Sequence, residues 1–360
     1  MRIFYVALSE LPSRYANSIH VMKMCAALAD KHDVTLYVPD KNSNRLDLFE
    51  YYGVAQNFII KKLYWARLRG RGYIFAFCFL LECLLKRPDL VYGRCLLACV
   101  FSCLVARIPT RYEAHAPIGR YDFIHQTLFK LMYRSRKFER LIVISDALRN
   151  IYSADGCTEK VTVAHDGADE SKYSVRLKAK NRDRRKVGYF GHLYAGRGLE
   201  LIVSCAARLP EVDFFIYGGN DDDIKLWQMK RMPCNVVFEG FIEPSRVDEV
   251  RSACDILVAP YQEKVSIQNT GDSAKYMSPL KIFEYMSSGI PIICSDLPVI
   301  REVLNDRNSI LVSPKDLDAW VGAIGDLADN DGLCRQLGER ALADFNESYK
   351  WSSRARHVVQ

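Results

Sequence analysis

The feature that most constrains this chain is an alternation of short apolar segments with helix-length segments. It runs twice, on either side of one charge-dense break. In the first run, strands are expected at 3–8, 34–38, 90–92, 110–113 and 140–144. Helices are expected at 17–29, 96–106, 121–135 and 146–153. Strands joined through helices build parallel, doubly wound sheets, because a parallel pair needs a crossover long enough to hold a helix. The break, residues 171–186 (SKYSVRLKAKNRDRRK), has almost no large apolar side chains and reads as an interdomain linker. The pattern then restarts, with strands at 186–190, 212–217, 236–239, 255–259, 291–294 and 310–312 and helices at 198–208 and from Ser278. A length of 360 residues suffices for two separate cores. The expected architecture is therefore α/β, with two doubly wound domains in series. Ligands would bind in a cleft at the carboxyl ends of the strands. The boundaries expected are 1–172 for the first domain, 173–186 for a basic linker and 187–345 for the second. The last segment, 346–360, is expected to return to the first domain through Trp351, Arg354 and Val358.

Charge is divided along the chain. Residues 1–170 carry 24 Lys and Arg against 17 Asp and Glu, residues 171–186 carry eight against one, and residues 187–360 carry 18 against 25. A basic front half and an acidic back half imply different partners for each. No nucleic-acid motif accompanies the basic half, so an anionic membrane surface is the expected partner and nucleic acid is not. Residues 61–71 contain Lys61, Lys62, Arg67, Arg69 and Arg71 with no acidic residue, and 73–85 is apolar except for Glu82. That stretch is too short to span a bilayer. It reads either as a buried helix after a solvated loop or as a basic amphipathic membrane-contact region. The 12 cysteines include no C-x-x-C pair, and Cys95, Cys99 and Cys103 repeat on one helical face without a histidine. They read as core thiols in a reducing, cytoplasmic setting rather than as a metal or disulfide framework. Arg2 is followed only by the short apolar segment 3–8, so no secretory signal is expected.

The segment 276–300, YMSPLKIFEYMSSGIPIICSDLPVI, carries the chemistry. Ser278 suits an N-cap and Pro279 the first helical position. Leu280, Ile282, Phe283 and Met286 supply a buried face, and Ser288-Gly289 ends the helix. Lys281 falls in the first turn, where the helix dipole disfavours a cation unless an anion such as phosphate is bound there. Glu284 lies on the same face, one turn deeper. An anion-binding end with a carboxylate behind it suits a sugar nucleotide.

This segment resembles the donor-site motif of the retaining GT-B glycosyltransferases of family four. The likeness extends over the chain through PSRYANSIHVMKMCAAL, YEAHAP, VISDALRNIY, AHDGAD, GYFGHLYAGRGLELI and EGFIEPSRVDEVRSACDILVAPY. The resemblance implies two facing Rossmann-like domains and transfer of a sugar from a nucleoside diphosphate sugar, UDP- or GDP-linked, to a hydroxyl acceptor. It also implies retention of configuration, with no metal and no further cofactor. By the same resemblance Glu284 binds the ribose hydroxyls, and Ser278, Pro279, Leu280 and Lys281 meet the diphosphate. Arg197 is the phosphate-binding cation after the 186–190 strand, which Gly191 and His192 follow. Gly240, Phe241 and Ile242 lie near the base, and His115 touches the transferred sugar. Asn17 and Ser18 occupy the place of a glycine pair and would offer backbone donors; His20 reads as packed. Two positions depart from the pattern. His192 stands where relatives hold a second phosphate-binding arginine. Tyr276 stands where many hold a first glutamate, whose role would fall to Lys275, Asp272 or backbone N–H groups of 263–277. The acceptor implied is a lipid-linked glycan or polysaccharide precursor at the cytoplasmic membrane face. A different GT-B reaction, such as epimerisation or phosphorolysis, and a non-catalytic sugar-nucleotide sensor are the competing readings.

Overall fold

The computed structural model describes residues 1–41, 46–173, 184–264 and 273–360. They form two compact units, Met1–His165 with Trp351–Gln360, and Asp166–Lys350. The division falls earlier than position 172 and later than 346, for a local reason. The Ala168 N–H donates to the Tyr349 carbonyl at 3.0 Å, and Lys350 pairs with Glu170, so 166–170 and 349–350 are tied to one another. The expected linker is also shorter at its far end. Arg185 and Lys186 open the first strand of the second sheet, and the Arg185 side chain reaches the Ala328 carbonyl at 2.9 Å and the Asp331 carboxylate. Most of the remaining linker, 174–183, lies outside the described residues, as does Asp272.

The first unit holds a seven-stranded parallel sheet. Its strands are β1 (Arg2–Val6), β2 (Asp33–Pro39), β3 (Ile59–Leu63), β4 (Leu90–Gly93), β5 (Thr110–Ala114), β6 (Phe138–Val143) and β7 (Val161–Val163), in the order β3-β2-β1-β4-β5-β6-β7. β1, β2, β4 and β5 are almost wholly buried, as strands covered on both faces must be; β1 and β4 read as largely apolar runs, whereas β5 (TRYEA) buries Arg111 and Glu113. The strand order reverses beside β1, so β1 and β4 flank the switch point where such sheets open a ligand crevice. Gly93 is required there: a Cβ would sit 2.3 Å from the Val6 carbonyl oxygen.

The helix Arg71–Lys86 has one buried and one exposed apolar face. Phe75, Ala76, Phe79, Leu80 and Cys83 are buried, while Tyr73, Phe77, Leu81 and Leu85 form an exposed stripe at four-residue spacing on another face. A Tyr73–His125 ring contact at 5.8 Å sets the helix Phe123–Arg134 beside it. Among the described residues, no helix is long and apolar enough to cross a membrane. All 12 cysteines are free, and ten of them are buried.

The second unit holds a six-stranded parallel sheet of β8 (Arg185–Phe190), β9 (Val212–Tyr217), β10 (Val236–Gly240), β11 (Ile256–Ala259), β12 (Ile292–Ser295) and β13 (Ile310–Val312), ordered β10-β9-β8-β11-β12-β13. Its switch point lies at β8 and β11. Val187, Tyr189, Phe214, Ile216, Ile256, Val258 and Trp320 meet in its core. The helix Leu280–Ser288 follows β11 and ends on Gly289 in the left-handed conformation, φ 65°. The helix Asp331–Ser348 packs against that end through Gly338, where a Cβ would meet the Gly289 carbonyl oxygen at 2.0 Å. The start of the Leu280 helix differs from the expectation. Pro279 is the cap residue and has no side-chain acceptor to offer; the Ser278 hydroxyl instead accepts the Asp166 N–H at 3.0 Å. The first-turn amides of this helix therefore have no side-chain cap.

Candidate functional site

Three segments converge at the carboxyl ends of β8 and β11. The Leu280 helix is fixed to β8 by the Phe190 N–H, which donates to the Tyr285 hydroxyl at 2.9 Å. That places Lys281 over the turn after β8. Its ammonium lies 4.1 Å from the Tyr189 ring centroid and 5.1 Å from that of Tyr261, which follows β11. The Arg197 guanidinium lies 5.6 Å from the same Tyr261 ring. Among the described residues, neither cation has a carboxylate within ion-pair distance, and the buried Arg197 Nε has no hydrogen-bond partner. Aromatic faces therefore hold both cations, a contact worth about 0.5–2 kcal/mol each. Burial, and then the Arg197 charge, push the Lys281 ammonium well below its usual pKa. Burial and the same two cations lower His192 to about 4, so His192 is a neutral neighbour. Its ring stacks on Tyr194 at 4.8 Å. An anion would relieve all of these penalties at once.

Glycines permit the close packing of the turns around these cations. A Cβ on Gly191 would lie 2.6 Å from the Lys281 ammonium, and one on Gly198 would lie 1.8 Å from the Pro260 carbonyl oxygen. Gly198, φ 79°, opens the helix Leu199–Arg208, whose start also lacks a side-chain cap. Gly240 ends β10 and accepts the Gly218 N–H at 2.6 Å; a Cβ on Gly218 would in turn meet the Gly191 carbonyl oxygen at 2.1 Å. Gly240, and after it the half-buried Phe241 and Ile242, thus connect through Gly218 to the turn that holds Gly191 and His192. Tyr276, the departure from the family pattern, is buried, and its backbone N–H donates to the Ser273 carbonyl at 3.1 Å.

Glu284 is half-buried, one turn beyond Lys281. Arg251 approaches its carboxylate at 3.7 Å and is itself held by Asp248 at 2.9 Å. Asp248 also accepts from the Ser171 hydroxyl and the Lys172 N–H, both at 2.8 Å. Glu284 is thereby oriented while keeping acceptor capacity for hydroxyl donors. The sequence analysis missed Arg251, although it lies within the quoted EGFIEPSRVDEVRSACDILVAPY. It also missed Tyr189 and Tyr261 as walls of the cation site.

In the first unit, His115 follows β5, and its Nε2 lies 2.5 Å from Glu113 Oε1. His20 Nε2 lies 2.8 Å from the same oxygen. The buried Glu113 carboxylate also receives the Tyr92 hydroxyl and, at 3.3 Å, Arg354 from the helix Trp351–Val359. Burial alone would raise the Glu113 pKa; Arg354 and the two histidines hold it well below the carboxylate range. Burial and the Arg94 charge lower His115 to about 4. His20 is buried with its ring against Trp351 at 5.1 Å, consistent with packing. Asn17 is exposed, and its carbonyl accepts from Arg94 at 3.4 Å. Ser18 departs from its expected role: its N–H donates to the Tyr15 carbonyl at 3.0 Å and its hydroxyl to Ser13 and Tyr15 carbonyls, so the helix turn itself uses both donors. Glu113 had a visible signal, since residues i and i+2 of a strand share a face and Glu113 precedes His115 by two.

Comparison with known proteins follows the same division. Residues 18–172 match the family Glycosyltransferase Family 4, and residues 184–330 match Glycosyl transferases group 1. The chain is 24% identical over 188 residues to a Bacillus subtilis protein named as a glycosyltransferase of teichuronic acid biosynthesis, 45% of each chain being covered. It is 23% identical over 177 residues to the alpha-galactosylglucosyldiacylglycerol synthase of Streptococcus pneumoniae, covering 47% of this chain and 42% of that one. These matches span about half the length of the curated relatives. Among solved structures, sucrose-phosphate synthase from Thermosynechococcus elongatus superposes with a TM-score of 0.77 at 17% identity, over 100% of this chain and 97% of that chain. HepE of Anabaena, in complex with UDP and glucose, gives 0.75 at 16% identity, over 99% and 98%. At such identities the likeness is one of fold, and the fold is GT-B. A glycosyltransferase family is thus matched on each side of the break near residue 180, Glycosyltransferase Family 4 before it and Glycosyl transferases group 1 after it, so the chain carries two glycosyltransferase domains in a GT-B fold.

Proposed function

We propose that this chain transfers a sugar from a nucleoside diphosphate sugar to a hydroxyl acceptor, with retention of configuration and without a metal. The observation that carries the reading is the Arg197–Lys281 pair, two cations on aromatic faces with no carboxylate partner among the described residues. Their charges suit a diphosphate. In the reaction, the bond from the sugar anomeric carbon to the diphosphate oxygen breaks and a bond to the acceptor oxygen forms. The acceptor hydroxyl loses its proton, and the nucleoside diphosphate leaves with the bonding electron pair. Arg197, Lys281 and the uncapped amides of the Leu280 helix would stabilise charge as it develops on that leaving group. Glu284, oriented by Arg251, would accept the ribose hydroxyls. Phe241 and Ile242 would border the base, and His115 in the first unit would contact the transferred sugar. HepE, named above as a complex with UDP and glucose, makes UDP the first nucleotide to try.

A thermal-shift panel of UDP-, GDP- and ADP-sugars tests the reading, because a ligand confined to the native state raises Tm. One of them should shift the wild-type protein and leave K281A unmoved. Release of nucleoside diphosphate with transfer to an added hydroxyl acceptor should follow for the same sugar nucleotide. No shift with any of the panel overturns the proposal, and release of a sugar phosphate without an acceptor product would indicate phosphorolysis instead.

The acceptor we propose is a lipid-linked glycan or polysaccharide precursor, reached at an anionic, cytoplasmic membrane face. Tyr64, Leu68, Phe77, Leu81, Leu85 and Phe123 are exposed on the first unit, beside the cations of 61–71. Apolar side chains flanked by cations suit an acidic bilayer. The protein should float with phosphatidylglycerol vesicles and not with phosphatidylcholine vesicles, and L81D/L85D should abolish flotation. Equal behaviour with both vesicle types, or retention by the variant, would refute this contact.

A further inference from the structure

Within the first unit, Glu113 is the point on which four side chains close. Its Oε1 faces the Nε2 atoms of both His115 and His20, and its Oε2 faces the Tyr92 hydroxyl and Arg354 Nη1. Arg354 is as buried as Glu113. Its other N–H groups donate to the His165 carbonyl at 2.9 Å and the Ala164 carbonyl at 3.3 Å, which fixes the guanidinium in place. An ionised carboxylate can only accept hydrogen bonds. The His115 ring nitrogen that faces it must therefore carry the hydrogen. The other nitrogen, Nδ1, has no hydrogen-bond partner among the described residues, and the His115 side chain keeps 22% of its exposure.

We propose that Glu113 is a positioning residue: it holds His115 in the Nε2–H tautomer, so that the Nδ1 lone pair is the group offered to a hydroxyl of the bound sugar. The proposal rests on the reading of His115 as a sugar contact and adds what that reading lacks, the tautomer and its cause. The same imidazole in the Nδ1–H form would be a donor at its open edge and would face a hydroxyl differently. The charges around the ring agree with a neutral imidazole. Arg94 and His20 oppose its protonation and Glu113 favours it; burial adds to the former, and the outcome is a ring that stays neutral at ordinary pH. Arg354 keeps Glu113 ionised, aided by the histidines. The final helix, Trp351–Val359, thus sets the state of a side chain at the end of β5, some 240 residues earlier in the chain.

The test begins with the unmodified full-length protein. Nitrogen-15 NMR of labelled histidine distinguishes a lone-pair nitrogen from a protonated one, and H115Q assigns the resonance. Near neutral pH His115 should show Nε2 protonated and Nδ1 bare, with no imidazolium formed until about pH 4. An imidazolium, or an Nδ1–H tautomer, would overturn the proposal, whatever the outcome of any donor-binding experiment. E113Q then tests the cause. Its amide can donate to the ring, so the Nε2–H tautomer should lose its dominance. kcat should fall by about 10- to 100-fold, as when a group that orients a functional histidine is removed. The sugar-nucleotide thermal shift, which reads the second unit, should persist. An unchanged tautomer and an unchanged kcat in a folded E113Q would sink the assigned role. If E113Q does not fold, the wild-type spectrum decides alone.

Discussion

Each of the two units gathers cationic and neutral bases at the carboxyl end of its sheet, and each treats them in an opposite way. In the first, Arg354, His20 and His115 surround a buried carboxylate, and charge is balanced inside the protein. In the second, Arg197 and Lys281 both lie near the Tyr261 ring, with no carboxylate within ion-pair distance of either among the described residues. The first arrangement needs nothing from outside, so it reads as a device that orients groups. The second carries a penalty, burial first and then the Arg197 charge, that holds the Lys281 ammonium well below its usual pKa and that an incoming anion would offset. Unbalanced charge at a switch point is the stronger sign of a ligand, and balanced charge the stronger sign of scaffold.

The comparison can be broken most severely at the second unit. R197A and K281A should each lower kcat/KM by about 10²- to 10³-fold, the range for losing one donor to developing charge. Steady-state kinetics with the active sugar nucleotide would measure this, and near wild-type values would end the contrast. A smaller effect is expected one turn deeper. Removal of the Glu284 carboxylate in E284A should weaken donor binding by about 10- to 100-fold, as charge-assisted hydrogen bonds contribute about 1.5–3 kcal/mol. R251M should reproduce part of that loss in calorimetric titration, since Arg251 pairs with Glu284 and Asp248. The smallest effect belongs to the aromatic walls. Y261F, which keeps the ring, should bind donor almost as wild type does. Y261L should lose about 2- to 30-fold, the range of a cation–π contact. If both variants bind alike, aromatic faces do not poise the cations.

The fold was legible because its signals are local and repeated. Strands such as β4 and β11 are short apolar runs, and the restart after the charged break announced a second sheet. Lys281 stood out because a cation at a helix start contradicts the helix dipole, whereas Arg197 was singled out by the family resemblance. What escaped were residues whose meaning comes from distant partners. Arg354 lies 241 positions from Glu113, and no periodicity relates them. Tyr189 and Tyr261 read as ordinary core aromatics until Lys281 is placed between them. Ser278 was misread for a similar reason. Its local pattern fits an N-cap, but the Asp166 amide, 112 positions away, takes its hydroxyl.

Proton uptake on binding reads out whether an anion recharges Lys281. In the empty site Lys281 titrates well below its unfolded value of about 10.4, and a bound diphosphate should raise it again. Binding above the empty-site pKa must then take up a proton. At about pH 8 the terminal phosphate, with a pKa of about 6, is already ionised and does not contribute. Calorimetric titration of the full chain with the nucleoside diphosphate, in buffers of different ionisation enthalpy, counts the protons. The account predicts net uptake by wild type that rises as pH increases through the empty-site pKa and is absent in K281M. Uptake of equal size in K281M, or tight binding with no proton taken up at any pH, would contradict it.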